Sequence, residues 1–328
     1  NGLRLIANLM DGLVGYDGAG QLRFLLAESV KTSEDGLRYE FWLRKGAVWS
    51  DGVPVVASQF VHALRRALDP STGSKLADLL YPIRGARAFA QRKTAELGVQ
   101  APTPDRLVIE LEYALPTFLE TLTLPQAMPL REDILAAHHG KWPLQAPVTG
   151  AYQIAAARFD QMLLLEPNRR YWEKHEALPI SLTIVQDETT ALRLFEKGKI
   201  DVLTRIPALD HERLKKQGAI VSFPMVATYF LAFDIRKPPF NDVLWRRRFS
   251  AAIDRHGVVQ ALGSGEAPTW NWIPRGLEGA TQEPLLPKKL HDALAQANPK
   301  LGTKLAPVGL AYDSGGRNSL IMEKVQDD

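Results

Sequence analysis

Seven histidines, no cysteine and a scattering of carboxylates bound the chemistry open to this chain. Without cysteine, disulfides, thiolate nucleophiles, zinc ribbons and iron–sulfur clusters are excluded together. The histidines are His62, His138, His139, His175, His211, His256 and His291, and only His138 and His139 are adjacent. Neighbouring helix residues point about 100° apart and make poor joint metal ligands, and no H-E-x-x-H occurs. Gly263-Ser264-Gly265 does not meet the G-x-S-x-G of a nucleophile elbow. Neither Gly15…Gly18…Gly20 nor Gly315-Gly316 completes a phosphate loop. Asp187-Glu188 could serve as an acid/base pair, but it falls where a helix begins, and there negative charge complements the helix dipole. The sequence predicts no enzyme, no cofactor and no metal.

Two other groups could bind rather than react. Arg246-Arg247-Arg248 with Arg255 invites a nucleic-acid reading. On a helix those three guanidinium groups fan across three directions, and no set of stacking aromatics interleaves with them. A solvated helix face is preferred, and no nucleic-acid partner is expected. Trp270 and Trp272 flank Asn271 in the Pro-bounded loop Ala267-Pro268-Thr269-Trp270-Asn271-Trp272-Ile273-Pro274. Alternate residues of an extended loop share a face, so both indoles can line one surface. Packing onto a core and the wall of a ligand site are both open readings.

These residues must be positioned by elements that the rest of the chain supplies. Its 328 residues allow about two domains. At 45% hydrophobic and 23% charged it has the profile of a globular chain, which excludes disorder and collagen-like repeats. The 40 Lys+Arg against 37 Asp+Glu leave a net charge of +3, too little to call for nucleic acid or an anionic membrane. No apolar run approaches the ~18 residues of a membrane helix. The start at Asn1, with no Met and no leader pattern, and the stop at Asp328 inside a nascent helical pattern lead us to expect a piece of a longer chain.

Apolar residues at Ala57, Phe60, Val61, Leu64, Ala67 and Leu68 predict an amphipathic helix, stopped by Asp69-Pro70. Helices are also expected over 3–10, 116–124, 131–139, 189–197 and 242–262. Alternation predicts strands over 38–44, with Tyr39, Phe41 and Leu43 on one face, and over 107–111. Further strands are expected over 162–165, 180–185, 200–203, 229–234 and 308–312, with poorly patterned loops over 141–150 and 263–307. Strands interleaved with helices predict an α/β or mixed α+β fold.

Ordered blocks along nearly the whole chain carry a resemblance. They begin with Leu9-Met10-Asp11-Gly12-Leu13-Val14, Leu26-Ala27-Glu28-Ser29 and Asp35-Gly36-Leu37-Arg38-Tyr39-Glu40-Phe41. The longest runs from Leu43-Arg44-Lys45-Gly46 through Trp49-Ser50-Asp51-Gly52-Val53-Pro54 to Phe60-Val61. Pro147-Val148-Thr149-Gly150-Ala151-Tyr152, Asn168-Arg169-Arg170-Tyr171-Trp172 and Gly198-Lys199-Ile200-Asp201-Val202 follow. Lys237-Pro238-Pro239-Phe240-Asn241-Asp242, Ala252-Ile253-Asp254-Arg255 and Ile273-Pro274 complete the series. In this order the blocks resemble the extracytoplasmic solute-binding proteins of peptide (oligopeptide/dipeptide) ABC transporters, family 5 type. Gly12, Gly36, Gly52 and Gly198 fall where turns or helix ends would need φ > 0. The family's usual Thr N-cap is Val56 here, so Ser58 is expected to open the helix two residues later.

The resemblance implies a periplasmic-binding-protein-like, two-lobed fold. Residues 1–40 and 150–273 would form a discontinuous first-lobe sheet domain, 41–149 an inserted subdomain, and 274–328 the beginning of the second lobe. It implies an extended peptide ligand held between lobes by main-chain hydrogen bonds, as an added strand is. The acidic residue that holds the peptide's α-amino group in the oligopeptide branch is expected outside this sequence. A membrane permease would be the partner, with the protein a monomer in the periplasm or otherwise extracytoplasmic, in full-length form lipid-anchored. Tyr229, Phe230, Trp270, Asn271 and Trp272 would be ligand contacts. The same architecture serves binders of nickel chelates, haem and glycan fragments, and a ligand-sensing domain of a transcription regulator is the alternative from another class.

Overall fold

A computed structural model describes residues 2–174, 176–223, 225–274, 277, 279–281, 308–313 and 316–327. Most of the loop expected over 263–307, from 282 onward, lies outside these residues, and so do His175 and His291. The chain divides into two compact units, Asn1–Ile184 and Val185–Asp328.

In the first unit, α1 (Gly2–Leu9) leads into a short hairpin of β1 (Val14–Tyr16) and β2 (Leu22–Phe24). A four-stranded antiparallel sheet then forms from β3 (Ala27–Thr32), β4 (Arg38–Leu43), β5 (Val99–Thr103) and β6 (Arg106–Glu110), in the order β3-β4-β6-β5. The alternation read from the sequence is the cause of its two faces. Tyr39, Phe41 and Leu43 of β4 are buried with Leu107 and Ile109 of β6, while Arg38, Glu40, Arg106 and Glu110 pair across the outer face. Onto the inner face packs α2 (Ala57–Leu68), burying Ala57, Phe60, Ala63, Leu64, Ala67 and Leu68. Around them lie α3 (Ala86–Ala90), α4 (Phe118–Thr121) and α5 (Glu132–Ala137). A second antiparallel sheet, in the order of its sequence, joins β7 (Tyr152–Arg158), β8 (Met162–Pro167) and β9 (Ile180–Thr183). The mixed α+β expectation holds, with every ladder among the described residues antiparallel.

The start of α2 corrects one expectation. The helix opens at Ala57, not after Ser58, with Val56 at the N-cap and no side-chain cap from it. Gln59 takes over instead. Its Oε1 accepts from the Val56 N–H at 3.1 Å and from the Trp49 indole N–H at 3.1 Å, so one amide serves the helix end and a fully buried tryptophan. Gln59→Ala is expected to destabilise the protein by about 2 kcal/mol, a lost cap added to an orphaned buried donor. Urea melts of the variant and its parent check this, and a loss below about 0.5 kcal/mol would contradict it.

The second unit carries α6 (Glu188–Glu196), α7 (His211–Lys216), α8 (Val243–Ala252), α9 (Arg255–Leu262) and α10 (Gly316–Asp327). Leu262 of α9 and Ile321, Met322 and Val325 of α10 form its buried centre, joined by Leu231, Phe249, Ile253, Val258 and Leu320. Phe233, Phe240 and Phe249 pack as a ring trio, with centroids 4.7 to 5.6 Å apart.

Several element expectations are corrected. The helix expected over 242–262 is two, because Asp254 accepts from the Gly257 N–H at 3.0 Å and starts a new helix. The helices expected over 116–124 and 131–139 shorten to α4 and α5. The segments 200–203, 229–234 and 308–312 join no ladder among the described residues, since alternation alone does not provide a neighbouring strand. Gly36, Gly52 and Gly198 do have positive φ, whereas Gly12 does not.

Candidate functional site

Three of the motif blocks, at 9–14, 147–152 and 168–172, meet in the first unit at a buried polar junction. Asp11, Thr149 and Asn168 are three of the few polar side chains fully enclosed there. The Thr149 hydroxyl accepts from the Asp11 N–H at 2.9 Å and donates to the Asp11 carbonyl at 3.2 Å. Asn168 Nδ2 donates to the Gly150 carbonyl at 2.9 Å, and the Gly150 N–H donates to the Leu9 carbonyl at 2.9 Å. The Asp11 carboxylate accepts from the Trp172 indole N–H at 2.8 Å and also from Tyr171. Trp172 is overlaid by the Arg44 guanidinium, 3.9 Å from its ring centroid. Arg23 lies 5.6 Å from the same ring and pairs with Glu173 at 2.8 Å.

Burial dominates the electrostatics there. It pushes the Asp11 carboxyl up to about 6, against the hydrogen bonds from Trp172 and Tyr171 and the Arg23 charge, which act the other way. The same burial, with the Asp11 charge beside it, raises the Tyr171 hydroxyl well above its usual range. Three blocks up to 161 residues apart in sequence thus serve one structural joint. Sequence reading identified the blocks but not that they touch; the signal it passed over was a carboxylate in one block and an indole donor in another.

The five expected ligand contacts all lie in the second unit. Tyr229 and Phe230 sit in an irregular segment between α7 and α8, 56% and 54% exposed. The Phe230 ring meets Trp272, which is 62% exposed, at a centroid distance of 4.6 Å and a tilt of 49°. The Thr228 hydroxyl donates to the Trp272 carbonyl at 3.0 Å, tying the two segments together. Tyr229 reaches elsewhere, its hydroxyl donating to Asn318 Oδ1 of α10 at 3.4 Å. Trp270 faces α9, 5.6 Å from the His256 ring and 5.6 Å from the Arg255 guanidinium. The Asn271 side chain donates to the Thr281 carbonyl at 2.7 Å. The structure therefore brings Phe230 and Trp272 into one exposed aromatic pair and sends the Trp270 ring to a different contact. Two tilted rings, held by the Thr228 hydroxyl tie and more than half exposed, present flat apolar area at little entropic cost.

The other candidate groups resolve into local roles. Asp187 caps α6, accepting from the Thr190 N–H at 2.6 Å, and this bond holds its carboxyl below the usual range. Arg246 donates to the Phe240 carbonyl at 2.6 Å, Arg248 lies over the Trp245 ring, and Arg255 donates to the Ser250 carbonyl at 2.7 Å. Among the described residues no three His, Asp or Glu side chains could hold a metal ion. No helix there is long and apolar enough to cross a membrane.

Known proteins of similar sequence and structure bear on this geometry. The chain is 27% identical to the oligopeptide-binding protein OppA of Bacillus subtilis (strain 168) over 346 residues, 98% of this chain and 63% of that protein. It is 30% identical to the probable deoxycholate-binding periplasmic protein YgiS of Escherichia coli (strain K12), over 90% of this chain and 57% of that one. Among solved structures it resembles Haemophilus influenzae OppA in complex with RPPGFSPFR, with a TM-score of 0.77 and 27% identity, covering 84% of this chain and 56% of the other. It also resembles the Escherichia coli murein tripeptide binding protein MppA, with a TM-score of 0.80 and 29% identity, over 89% and 60% of the two chains. The chain spans less than two thirds of the length of each of these proteins. The family model for the bacterial extracellular solute-binding proteins, family 5 Middle, matches residues 21–328, and to that family the chain belongs.

Proposed function

We propose that this protein captures extended peptides outside the cytoplasm and passes them to the membrane permease of an ABC importer. The carrying observation is its likeness, at a TM-score of 0.77, to a family relative solved with the peptide RPPGFSPFR. In this reading the protein is a monomer that binds without chemistry, in the periplasm or anchored by lipid at a membrane. Residues 1–40 with 150–273 form the first-lobe domain, 41–149 its inserted subdomain, and 274–328 the start of the second lobe. Tyr229, Phe230, Trp270, Asn271 and Trp272 contribute ligand contacts, the exposed Phe230–Trp272 pair foremost. Aromatic anchors of this kind carry a large share of the energy in many interfaces.

A second ligand class has its own support, the 30% identity to a probable deoxycholate-binding protein. Both classes can be tested on the same sample by following tryptophan fluorescence during titration with RPPGFSPFR and with deoxycholate. Saturable peptide binding is expected. Phe230→Ala combined with Trp272→Ala is expected to weaken it at least about tenfold, or about 1.4 kcal/mol. Binding of deoxycholate alone would replace the peptide reading with that of an amphipathic, non-peptide solute. Peptide affinity unchanged in the double variant would remove the aromatic pair from the site.

A further inference from the structure

The first unit carries an open groove that none of the expected ligand contacts lines. Two hollows, of about 430 and 560 Å³, share Asp69 and Phe89 and run along the solvent side of α2. One wall is α3 with the turn that holds Arg92, Lys93, Thr94 and Ala95, and the other is α5 with Gly140.

The larger hollow is lined by two consecutive arginines that part to opposite walls. Arg65 donates to the Ala95 carbonyl at 2.7 Å and lies over the Phe89 ring at 5.1 Å. Arg66 donates to the Gly140 carbonyl at 2.9 Å. A carbonyl fixes a guanidinium without neutralising it, and most of its five N–H donors stay available. The two carboxylates in the groove are already engaged. Asp69 accepts from the Ser71 N–H at 2.8 Å and lies 3.8 Å from Arg92, while Glu132 pairs with His62 Nδ1 at 2.6 Å. Among the described residues no carboxylate comes within ion-pair distance of Arg65, Arg66 or Lys93. Four permanent cations, Arg65, Arg66, Arg92 and Lys93, thus face two carboxylates in the lining.

We infer that this groove is a docking site for an acidic segment of a protein partner. Its form decides between acidic ligands. An open trough leaves a small anion hydrated and weakly held, whereas a chain with several carboxylates can engage both fixed guanidinium groups and the rim cations together. Charges placed along an open groove also steer encounter, an effect that salt suppresses. The inference stands independently of the peptide reading, because none of the five proposed ligand contacts lines the groove.

The test follows fluorescein-labelled hexaglutamate by anisotropy, with the protein at low salt. Binding is expected near about 50 mM NaCl and to weaken at least about tenfold by 300 mM. Arg65→Gln with Arg66→Gln should weaken it at least about tenfold, equal to about 1.4 kcal/mol. Arg92→Gln with Lys93→Gln, at exposed positions where only the solvent-screened Arg92–Asp69 pair at 3.8 Å is lost, should weaken it a few-fold while shifting the melting temperature little. Excess RPPGFSPFR should not displace the probe. The inference is overturned if hexaglutamate does not bind at low salt, if RPPGFSPFR displaces it, or if the rim variant binds as its parent does. It is also overturned if inorganic phosphate competes at equal concentration of charge, which would make the groove a simple anion site. Binding to phosphatidylglycerol vesicles that the rim variant loses, with no hexaglutamate binding, would assign the groove to a membrane surface instead.

Discussion

Gly150→Ala is expected to lower the unfolding free energy by about 3 kcal/mol, at the upper end of the usual cost of overpacking. The glycine lies under the end of α1. A Cβ at this position would stand 2.6 Å from the Asn8 carbonyl oxygen, 2.6 Å from the Leu9 carbonyl carbon and 2.8 Å from the Met10 nitrogen. All three are backbone atoms, so no rotamer change relieves the overlap. The same residue donates to the Leu9 carbonyl and accepts from Asn168, and relief by lifting α1 would break the joint built on Thr149 and Asp11. Urea denaturation of the variant and its parent measures the loss, and limited proteolysis should show earlier cutting before Asp11. A variant within about 0.5 kcal/mol of its parent would show that α1 does not rest on Gly150 as described.

Asp11→Asn should remove a pH dependence that the parent protein shows between about pH 4 and 6. The Asp11 carboxyl titrates at about 6 in the folded protein and at 3.8 in an ordinary setting. Well below pH 4 it is protonated in both states and contributes no difference. Between these values the unfolded chain releases its proton and the folded protein keeps its own, so stability falls as pH rises. Above 6 the full penalty of a buried carboxylate is present. Two pKa units correspond to about 3 kcal/mol, and Asn, which does not titrate, adds only an offset that is the same at every pH. The parent minus variant difference in unfolding free energy, measured at pH 4, 5, 6 and 7, should therefore shift by about 2 kcal/mol in favour of the variant, the remainder of the effect lying below pH 4. A constant offset across that range would mean that Asp11 is not titrating within the folded joint.

These two effects also mark the limits of reading the chain without its structure. The alternation of Tyr39, Phe41 and Leu43 and the stripe from Ala57 to Leu68 were legible because each is a local period set by strand or helix geometry. The helix start at Asp187-Glu188 was legible for the same reason, while the structure added that Asp187 caps it through a partner three residues away. Val56 misled because the compensating group, Gln59, is inside the helix and also serves Trp49. The segments 200–203 and 229–234 had strand-like sequence, but a ladder needs a neighbour that their own residues do not specify.

The site divides in the same manner. Trp270 and Trp272, two residues apart, could be expected to share a face, yet one contacts α9 and the other Phe230, because their surroundings and not their spacing set the ring positions. By itself the sequence determined the helices and strands with a strong local period, the absence of thiol chemistry and the resemblance to a binding-protein family. Only the tertiary structure decided that Asp11 and Trp172 form one buried hydrogen bond, that Gly150 supports α1, and that Arg65 and Arg66 hold opposite walls of a groove. Periodicity is a short-range property of the backbone, whereas these contacts join residues 30 to 161 positions apart, and their energies depend on burial that exists only once the chain has folded.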